Sequence, residues 1–188
     1  MATEEEMQTT RIGGLRLHNA PILLLEYRPE WPGLFQREAQ RVRATLGELV
    51  LRLEHVGSTA VPGLAAKPII DMALEVADSA DEPRYVPAME AAGYVLRIRE
   101  PDWYQHRLLK GPDIDINLHV FSQGCPEIDR LLIFRDWLRN NDADRDLYER
   151  SKRELAKRTW KYVQNYADAK TSVVEEILAR ARAATNPI

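Results

Sequence analysis

The chain has 188 residues, of which 45% are hydrophobic and 29% are charged, as in an ordinary globular protein. Its formal net charge of −3 excludes a general positive field of the kind that recruits nucleic acid. A single cysteine, Cys125, excludes an intramolecular disulfide and fits a reducing compartment. No apolar run approaches the roughly 20 residues that cross a bilayer. We therefore predict a cytoplasmic protein whose partners are small molecules, with neither nucleic acid nor membrane; its oligomeric state is left open.

Two segments are predicted from composition along the chain. Residues 1–20 begin with an acidic and polar stretch and are expected to form a flexible tail, and residues 21–188 are expected to form one domain. A short apolar strand could form at 22–25. After Trp31 and Pro32, a helix is predicted because apolar residues recur at steps of three and four: Phe35, Ala39, Val42, Leu46 and Leu49.

The remaining elements predict an α+β fold. Strands are predicted at 51–56, 68–76, 94–99, 103–110 and 113–121, and helices at 83–92, 126–140, 143–162 and 167–183. The order is one helix, then strands with one helix among them, then an all-helical C-terminal third. We expect a mixed, mostly antiparallel sheet that is flanked by helices.

A turn and a carboxylate give the first candidate site. Gly57, Ser58 and Thr59 follow a predicted strand, and a glycine with two hydroxyl residues suits close approach to phosphate oxygens, although an ordinary turn has the same composition. Asp71 lies inside an otherwise apolar strand, where an acid is costly unless it is paired, hydrated or metal-bound. Lys67, four residues earlier, could pair with Asp71 or contact phosphate.

A second candidate site lies on an alternating strand. From 113 to 120, polar and apolar residues alternate without error, so the polar residues share one face. These are Asp113, Asp115, Asn117 and His119. Carboxylates, an amide and an imidazole suit a hard cation or proton transfer. A half-exposed antiparallel strand explains the same pattern equally well.

Several other polar residues are weaker candidates. His55 is interpreted as a hydrogen-bonded strand histidine rather than a base, and His106 could line the same cavity as His119. Basic candidates for phosphate are Arg107, Lys110, Arg135 and Arg139. One helical stripe in the C-terminal third is interpreted as the edge of the core rather than a ligand wall, and it comprises Tyr148, Lys152, Leu155, Thr159 and Tyr162.

The run from Glu54 to Asp71, EHVGSTAVPGLAAKPIID, strongly resembles the signature of the GrpB family. The runs NLHV at 117–120 and FRDWLR at 134–139 match as well, and Tyr148, Lys152 and Lys170 fall in the predicted C-terminal helices where that family carries similar residues. The resemblance extends from about residue 20 to the end of the chain.

The GrpB family resembles the nucleotidyltransferase superfamily that includes DNA polymerase beta, which implies a sheet of the nucleotidyltransferase type. The resemblance implies that Gly57 and Ser58 contact a triphosphate, that Asp71 is the first metal ligand, and that the strand 113–119 supplies a later ligand. The second acid of that superfamily's Asp-x-Asp/Glu pair would be residue 73, which is Ala73 here. Either Asp115 completes a one-metal site with Asn117 or His119, or metal catalysis is lost.

The leading prediction is an enzyme that uses Mg²⁺, or Mn²⁺, to transfer a nucleotidyl group from an NTP to a small-molecule hydroxyl or carboxylate. Asp71 and Asp115 would hold the metal, and His119 would position or deprotonate the acceptor. The predicted substrate- and phosphate-binding residues are Gly57, Ser58, Thr59, Lys67, Arg107, Asn117 and Arg135. The alternative is a non-catalytic domain that binds a nucleotide or metabolite, supported by Ala73. A third possibility is an accessory module whose C-terminal helices dock another protein.

Overall fold

The computed structural model describes residues 3–185. The helices are Glu4–Thr10 (α1), Trp31–Leu46 (α2), Val86–Ala91 (α3), Pro126–Asn140 (α4), Asp142–Ala156 (α5), Val163–Ala169 (α6) and Thr171–Thr185 (α7). The strands are Arg52–Val56 (β1), Ile70–Val76 (β2), Val95–Glu100 (β3), His106–Lys110 (β4) and Ile116–Ser122 (β5). Within the described range, no helix is both long and apolar enough to span a bilayer.

The five strands form one sheet in the order β1-β2-β5-β4-β3. The pairing of β2 with β5 is parallel, and the other three pairings are antiparallel. The predicted α+β class, with a mixed and mostly antiparallel sheet flanked by helices, is confirmed. The parallel pairing places Asp71 directly opposite Asn117, and Ala73 opposite His119, on neighbouring central strands.

The two faces of the sheet differ in character. On one face, β2 and β5 present fully buried Met72, Leu74, Leu118 and Val120 to a core that includes apolar residues of α2 and α3. Because side chains alternate along a strand, Asp71, Asn117 and His119 lie on the opposite face. That face carries a second apolar cluster with residues of α4 at one end, and a cavity at the other.

Most predicted boundaries shift by one to four residues; β5 begins at Ile116 and not at 113, so that Asp113 and Asp115 precede it, and the predicted helix 167–183 is divided into α6 and α7. Three of the differences have a clear tertiary reason. Helix α5 ends at Ala156 rather than 162, because Trp160 turns back to donate its indole N–H to the Leu155 carbonyl (2.8 Å) and its backbone N–H to Ala20 (3.3 Å). Strand β4 begins at His106, after a turn in which Tyr104 and Gln105 both have a φ of +52°. At 22–25 the structure has a single bridge from Leu25 to Ala66 instead of a strand.

The first part of the described chain packs against the domain. Helix α1 is capped by a reciprocal pair of hydrogen bonds between Thr3 and Glu6, and Met7 is buried. The N–H of Ile12 then donates to Arg97 of β3 (2.9 Å), and that of His18 donates to Lys161 (2.8 Å). The division into a flexible segment 1–20 and a domain 21–188 stays a prediction.

Candidate functional site

A cavity of about 950 Å³ opens on the polar face of the sheet. Its walls come from the Gly57–Ser58 turn, β2, β4, β5, α4, α5, α6 and residues 11–16. Eight lysines and arginines line it against four carboxylates, although the chain as a whole has a net charge of −3. This volume lies within the range of small-molecule sites, and the excess of positive charge favours an anionic ligand.

The turn that follows β1 passes very close to Asp71. Gly57 has φ +71° and ψ −172°, a conformation that is essentially restricted to glycine. A Cβ at this position would lie 2.5 Å from Asp71 Oδ2 and 3.0 Å from Asp71 Cβ. Glycine is therefore required here for two reasons, the backbone conformation and the space taken by the carboxylate, and Ser58 is held next to Asp71 as a result.

Ser58 is bonded to a buried lysine of α5. Lys152 is only 2% exposed, and its Nζ donates to Ser58 Oγ (3.1 Å) and to the Ala65 carbonyl. Because Lys152 is the donor, the hydroxyl proton of Ser58 can be donated to a ligand oxygen. Burial, together with the charge of Lys170, lowers the pKa of Lys152 to about 7.

Two further lysines complete the basic wall of the cavity. Lys67, which precedes β2, and Lys170, between α6 and α7, lie over the ring of Tyr166, with Nζ 5.7 Å and 4.9 Å from its centroid. Burial, then the charge of Lys170, lowers the pKa of Lys67 to about 8. The charge of Lys170 disfavours the charged forms of Lys67 and Lys152, a cost that a bound anion would relieve.

Asp71 and Asp115 belong to one chain of hydrogen bonds. Asn117 Nδ2 donates to Asp71 Oδ1 (2.7 Å), while Lys110 Nζ donates to Asn117 Oδ1 (2.8 Å) and to Asp115 Oδ1. Burial raises the pKa of Asp71, but the hydrogen bond and charge of His119, with Asn117 and Lys67, outweigh it and leave the pKa below the usual value. Asp71 is therefore ionised at neutral pH.

This arrangement was tested against the implied metal. A two-metal centre needs carboxylates that bridge ions about 3.5–4 Å apart. Here Ala73 occupies the position of the second acid, and a lysine and an amide connect Asp71 to Asp115. Among residues 3–185, no three His, Cys, Asp or Glu side chains form a metal-binding group. These residues do not fit a two-metal centre, and a Mg²⁺ or Mn²⁺ ion on Asp71 and Asp115 stays a prediction.

His119 lies beside Asp71 and is the end of a second polar chain. His119 Nε2 is 3.8 Å from Asp71 Oδ1, and its Nδ1 is 3.0 Å from His106 Nε2. His106 Nδ1 lies 2.6 Å from Glu100 Oε2. His106 therefore lines the cavity as the alternation suggested, and Glu100 joins it from β3.

Thr59 and His55 are bonded to each other under the turn. His55 Nε2 lies 3.0 Å from Thr59 Oγ1, which donates to the Ile69 carbonyl (3.2 Å). His55 also stacks on Phe35, and burial lowers its pKa to about 4. The interpretation of His55 as a hydrogen-bonded strand histidine is confirmed, and the hydroxyl of Thr59 holds the turn to the segment before β2.

Arg107 and Arg135 are not among the residues that line the cavity. Arg107 donates to Glu82 (2.6 Å) and to the Gln105 carbonyl (2.7 Å) on the side of α3. Arg135 donates to Glu54 (3.0 Å), to the His55 carbonyl (3.0 Å) and to Asp136 (2.7 Å). The structure does not bring these two phosphate candidates together with Ser58 and Lys67.

Two residues of β2, Ala73 and Glu75, show why no second acid lies beside Asp71 as it does in the superfamily pattern. Ala73 is 1% exposed and packs with Val56, Phe121 and Ile128. Glu75, the next acid on that face, accepts the N–H of Gly124 (2.8 Å) at the far end of the strand. Glu75 therefore fixes a loop and does not approach Asp71.

Sequence reasoning missed two contributors to the cavity. The stripe with Lys152 was expected to be the edge of the core, which is wrong for Lys152, because its amino group reaches Ser58. The sequence did contain a signal for Lys152, namely a charged residue among apolar and aromatic ones on a helix face. Asp71 was identified by the same kind of signal, an acid inside an apolar strand. Glu100 carried no comparable signal, since charged residues are common on strand ends.

The chain is similar to known proteins over most of its length. The family model described as GrpB protein matches residues 21–180. A UPF0157 protein of Halalkalibacterium halodurans is 64% identical over 96% of this chain and 93% of its own length. A UPF0157 protein of Streptomyces coelicolor is 44% identical over 86% and 84%. The crystal structure of GrpB from Enterococcus faecalis superposes with a TM-score of 0.72 at 31% identity, covering 84% of this chain and 98% of that one. The chain therefore belongs to the GrpB family.

Proposed function

We propose that this protein binds a nucleoside triphosphate in the cavity and transfers its nucleotidyl group to a small-molecule hydroxyl or carboxylate. The observation that carries the proposal is that Lys67, Lys152 and Lys170 line the same cavity as the Ser58 turn and Asp71, with Lys152 hydrogen-bonded to Ser58. The similarity of the GrpB family to nucleotidyltransferases supports the same use of the Gly57–Ser58 turn.

The basic wall suits phosphate more than a single carboxylate. Three ammonium groups and the Ser58 hydroxyl supply donors over an extended surface, which matches an oligophosphate chain with several charged oxygens. Hydrogen bonds to charged groups contribute roughly 1.5–3 kcal/mol each, so that loss of one lysine should weaken binding by about tenfold or more.

The acid and the histidine supply the other half of the site. Asp71 and His119 face the cavity from neighbouring strands, beside the phosphate subsite. An acceptor oxygen placed there would attack the α-phosphorus, and the bond from that phosphorus to the β-phosphate oxygen would break, so that pyrophosphate leaves. The lysines would stabilise the charge that develops on the leaving group.

The binding step is tested by isothermal titration with ATP, GTP, CTP, UTP and inorganic tripolyphosphate, each with and without Mg²⁺ or Mn²⁺. We expect a nucleoside triphosphate to bind more tightly than tripolyphosphate, and Lys152→Met to weaken binding about tenfold or more. Lys157→Met, directly after the end of the same helix, is the control, because the side chain of Lys157 is 69% exposed. No binding of any triphosphate at millimolar concentration would remove the proposal.

A non-catalytic nucleotide- or metabolite-binding protein is the second candidate function. Ala73 favours it, since this residue replaces an acid that the related transferases use and is packed in an apolar cluster. Release of pyrophosphate during incubation with the bound nucleotide and a panel of acceptors separates the two functions. If the nucleotide binds but pyrophosphate is not released and no acceptor is labelled, the protein has the second, non-catalytic function.

A further inference from the structure

The two ends of the cavity differ in chemistry. The Gly57–Ser58 turn and Lys67 lie beside the start of β2, where β1 ends. In the opposite direction along the sheet, β5 continues for four residues from Asn117 to Phe121, which is about 13 Å at roughly 3.3 Å per residue. Phe121 lines the cavity together with Trp103, and their ring centroids are 5.7 Å apart. The cavity is therefore basic at one end and aromatic at the other.

Trp103 presents an accessible indole ring at the aromatic end. Its side chain lines the cavity, and the residue is 42% exposed. The rings of Tyr104, His106 and Phe121 contact it at interplanar angles of 57°, 76° and 75°. None of these three rings is parallel to the indole, so none of them takes the stacked position on its face. A planar group in the cavity can therefore stack on Trp103.

The turn that carries Trp103 is held in an unusual conformation. Tyr104 and Gln105, between β3 and β4, both have a φ of +52°, which residues other than glycine rarely adopt. The carbonyl of Gln105 accepts from Ser79 Oγ (2.9 Å) and from Arg107 Nη1 (2.7 Å), and Ser79 is fully buried. Backbone strain of this kind persists only where the surrounding structure fixes it, and it is common where a side chain is positioned for a ligand.

The charged side chains of α4 at the aromatic end are already paired. Glu127 and Arg130 both line the cavity, and Arg130 donates to Glu127 (2.9 Å) and to Glu175 of α7 (2.6 Å). Ile128, in the first turn of the same helix, packs in one apolar cluster with Phe121. Because these charges are compensated within the protein, this end suits an uncharged planar group better than a second anion.

We infer that Trp103 stacks on the base of the nucleoside triphosphate and so distinguishes a nucleoside triphosphate from a free polyphosphate. This inference rests on the proposed binding of a nucleoside triphosphate and adds the subsite for its base. Phosphates at the Ser58 turn, with the α-phosphorus next to Asp71 and His119, leave the nucleoside on the side of Trp103. Every base has a π-face, so stacking recognises the ring system and does not by itself select one of the four bases.

Isothermal titration of ATP and of inorganic tripolyphosphate tests the stacking role. We expect Trp103→Leu to weaken the binding of ATP about tenfold and to leave the binding of tripolyphosphate unchanged. Trp103→Phe keeps an aromatic face and should lose less affinity for ATP than Trp103→Leu. Tyr104→Leu is the matched control, because Tyr104 is the next residue, is 48% exposed and does not line the cavity. It should bind both ligands as the wild type does.

Tryptophan fluorescence gives a second readout that depends on contact with the indole. The chain has four tryptophans, of which Trp103 lines the cavity and Trp137 does not. We expect ATP, and not tripolyphosphate, to quench the fluorescence of the wild type and of Trp137→Phe. In Trp103→Phe the quenching should be lost, although titration calorimetry still detects binding of ATP.

The outcomes separate this inference from the proposed function. If no triphosphate binds to the wild type, the proposed function fails and the base subsite fails with it. If ATP binds and Trp103→Leu keeps the full preference for ATP over tripolyphosphate, only the assignment of Trp103 is overturned. An equal loss of affinity for both ligands also overturns it, since the turn would then act on the structure of the whole site. Quenching that persists in Trp103→Phe has the same consequence.

Discussion

The lack of space for a Cβ between Gly57 and Asp71 allows a quantitative prediction for Gly57→Ala. The backbone conformation, with φ +71° and ψ −172°, costs a residue with a Cβ about 1–3 kcal/mol. The added Cβ would also lie 2.5 Å from Asp71 Oδ2, so the carboxylate must move by about 1 Å to reach an ordinary contact distance. That movement disturbs the 2.7 Å hydrogen bond from Asn117, which contributes roughly 1 kcal/mol.

Together these effects should lower the free energy of unfolding by about 2–4 kcal/mol, and the melting temperature by roughly 4 °C or more for a chain of this size. Thermal and urea unfolding measure the loss. Gly47→Ala, at φ +54° with nothing within 4 Å of its Cβ, isolates the backbone cost. Gly33→Ala, in α2 with the same open space and no such φ, should be neutral or stabilising by up to about 1 kcal/mol.

Measuring the affinity for ATP in the same three glycine variants separates an effect on the candidate site from an effect on stability alone. Only Gly57→Ala displaces Asp71 and the Ser58 turn, so only this variant should bind ATP more weakly than the wild type. A Gly57→Ala protein with the stability and the ATP affinity of the wild type would refute the claim that Asp71 leaves no space for a Cβ at residue 57.

Lys152, Asp71 and Arg135 give four further predictions. Burial lowers the pKa of Lys152 to about 7, whereas lysines of the unfolded chain titrate near pH 10.4, so the unfolded chain binds more protons between about pH 7 and pH 10. The free energy of unfolding should therefore rise over this pH range. Urea unfolding at several pH values should show that Lys152→Met makes this rise smaller. Affinity for ATP should fall over the same range, because a neutral lysine loses its attraction for phosphate; affinity that rises with pH would contradict this. Asp71→Asn should slow nucleotidyl transfer on the order of 10³-fold in a pyrophosphate-release assay, and full activity would exclude Asp71 from the chemistry. Arg135→Gln should cost about 1–3 kcal/mol in urea unfolding because its acceptors on β1 lose their donor, yet leave ATP affinity unchanged; weaker ATP binding would place Arg135 in the site.

Local pattern was sufficient for part of the site. The period of two from 113 to 120 placed Asn117 and His119 on one face, and the acid inside an apolar strand singled out Asp71. The parallel pairing of β2 with β5 brings Asp71 next to Asn117, although the two residues are 46 positions apart in the sequence. Such a pairing depends on the whole fold, and local alternation does not determine it.

The arginine candidates show where residue type alone is a poor guide. Arg107 shares its strand face with Leu109, which is fully buried, so its side chain lies on the core face and pairs with Glu82. Arg135 lies on the side of α4 that faces β1 and is held by Glu54. Conversely, Lys152 lies in the site although its helical stripe was expected to be the edge of the core. The face of α5 that packs toward the cavity is set by contacts with other helices, and the sequence of α5 alone does not show it.

The same non-local dependence separates the two acids. Asp115 lies just before β5 and not within the strand that the alternation predicted, and Lys110 from the neighbouring strand donates to its carboxylate as well as to Asn117. The antiparallel register that places Lys110 opposite Asn117 is again a property of the assembled sheet.

The structure of the complex with a non-hydrolysable ATP analogue tests the central claim most directly. We expect the triphosphate to lie in the cavity, within hydrogen-bonding distance of Ser58 Oγ and of the amino groups of Lys67, Lys152 and Lys170, with the α-phosphorus nearest Asp71 and His119. An analogue bound elsewhere, or a cavity that stays empty at saturating concentration, would contradict it.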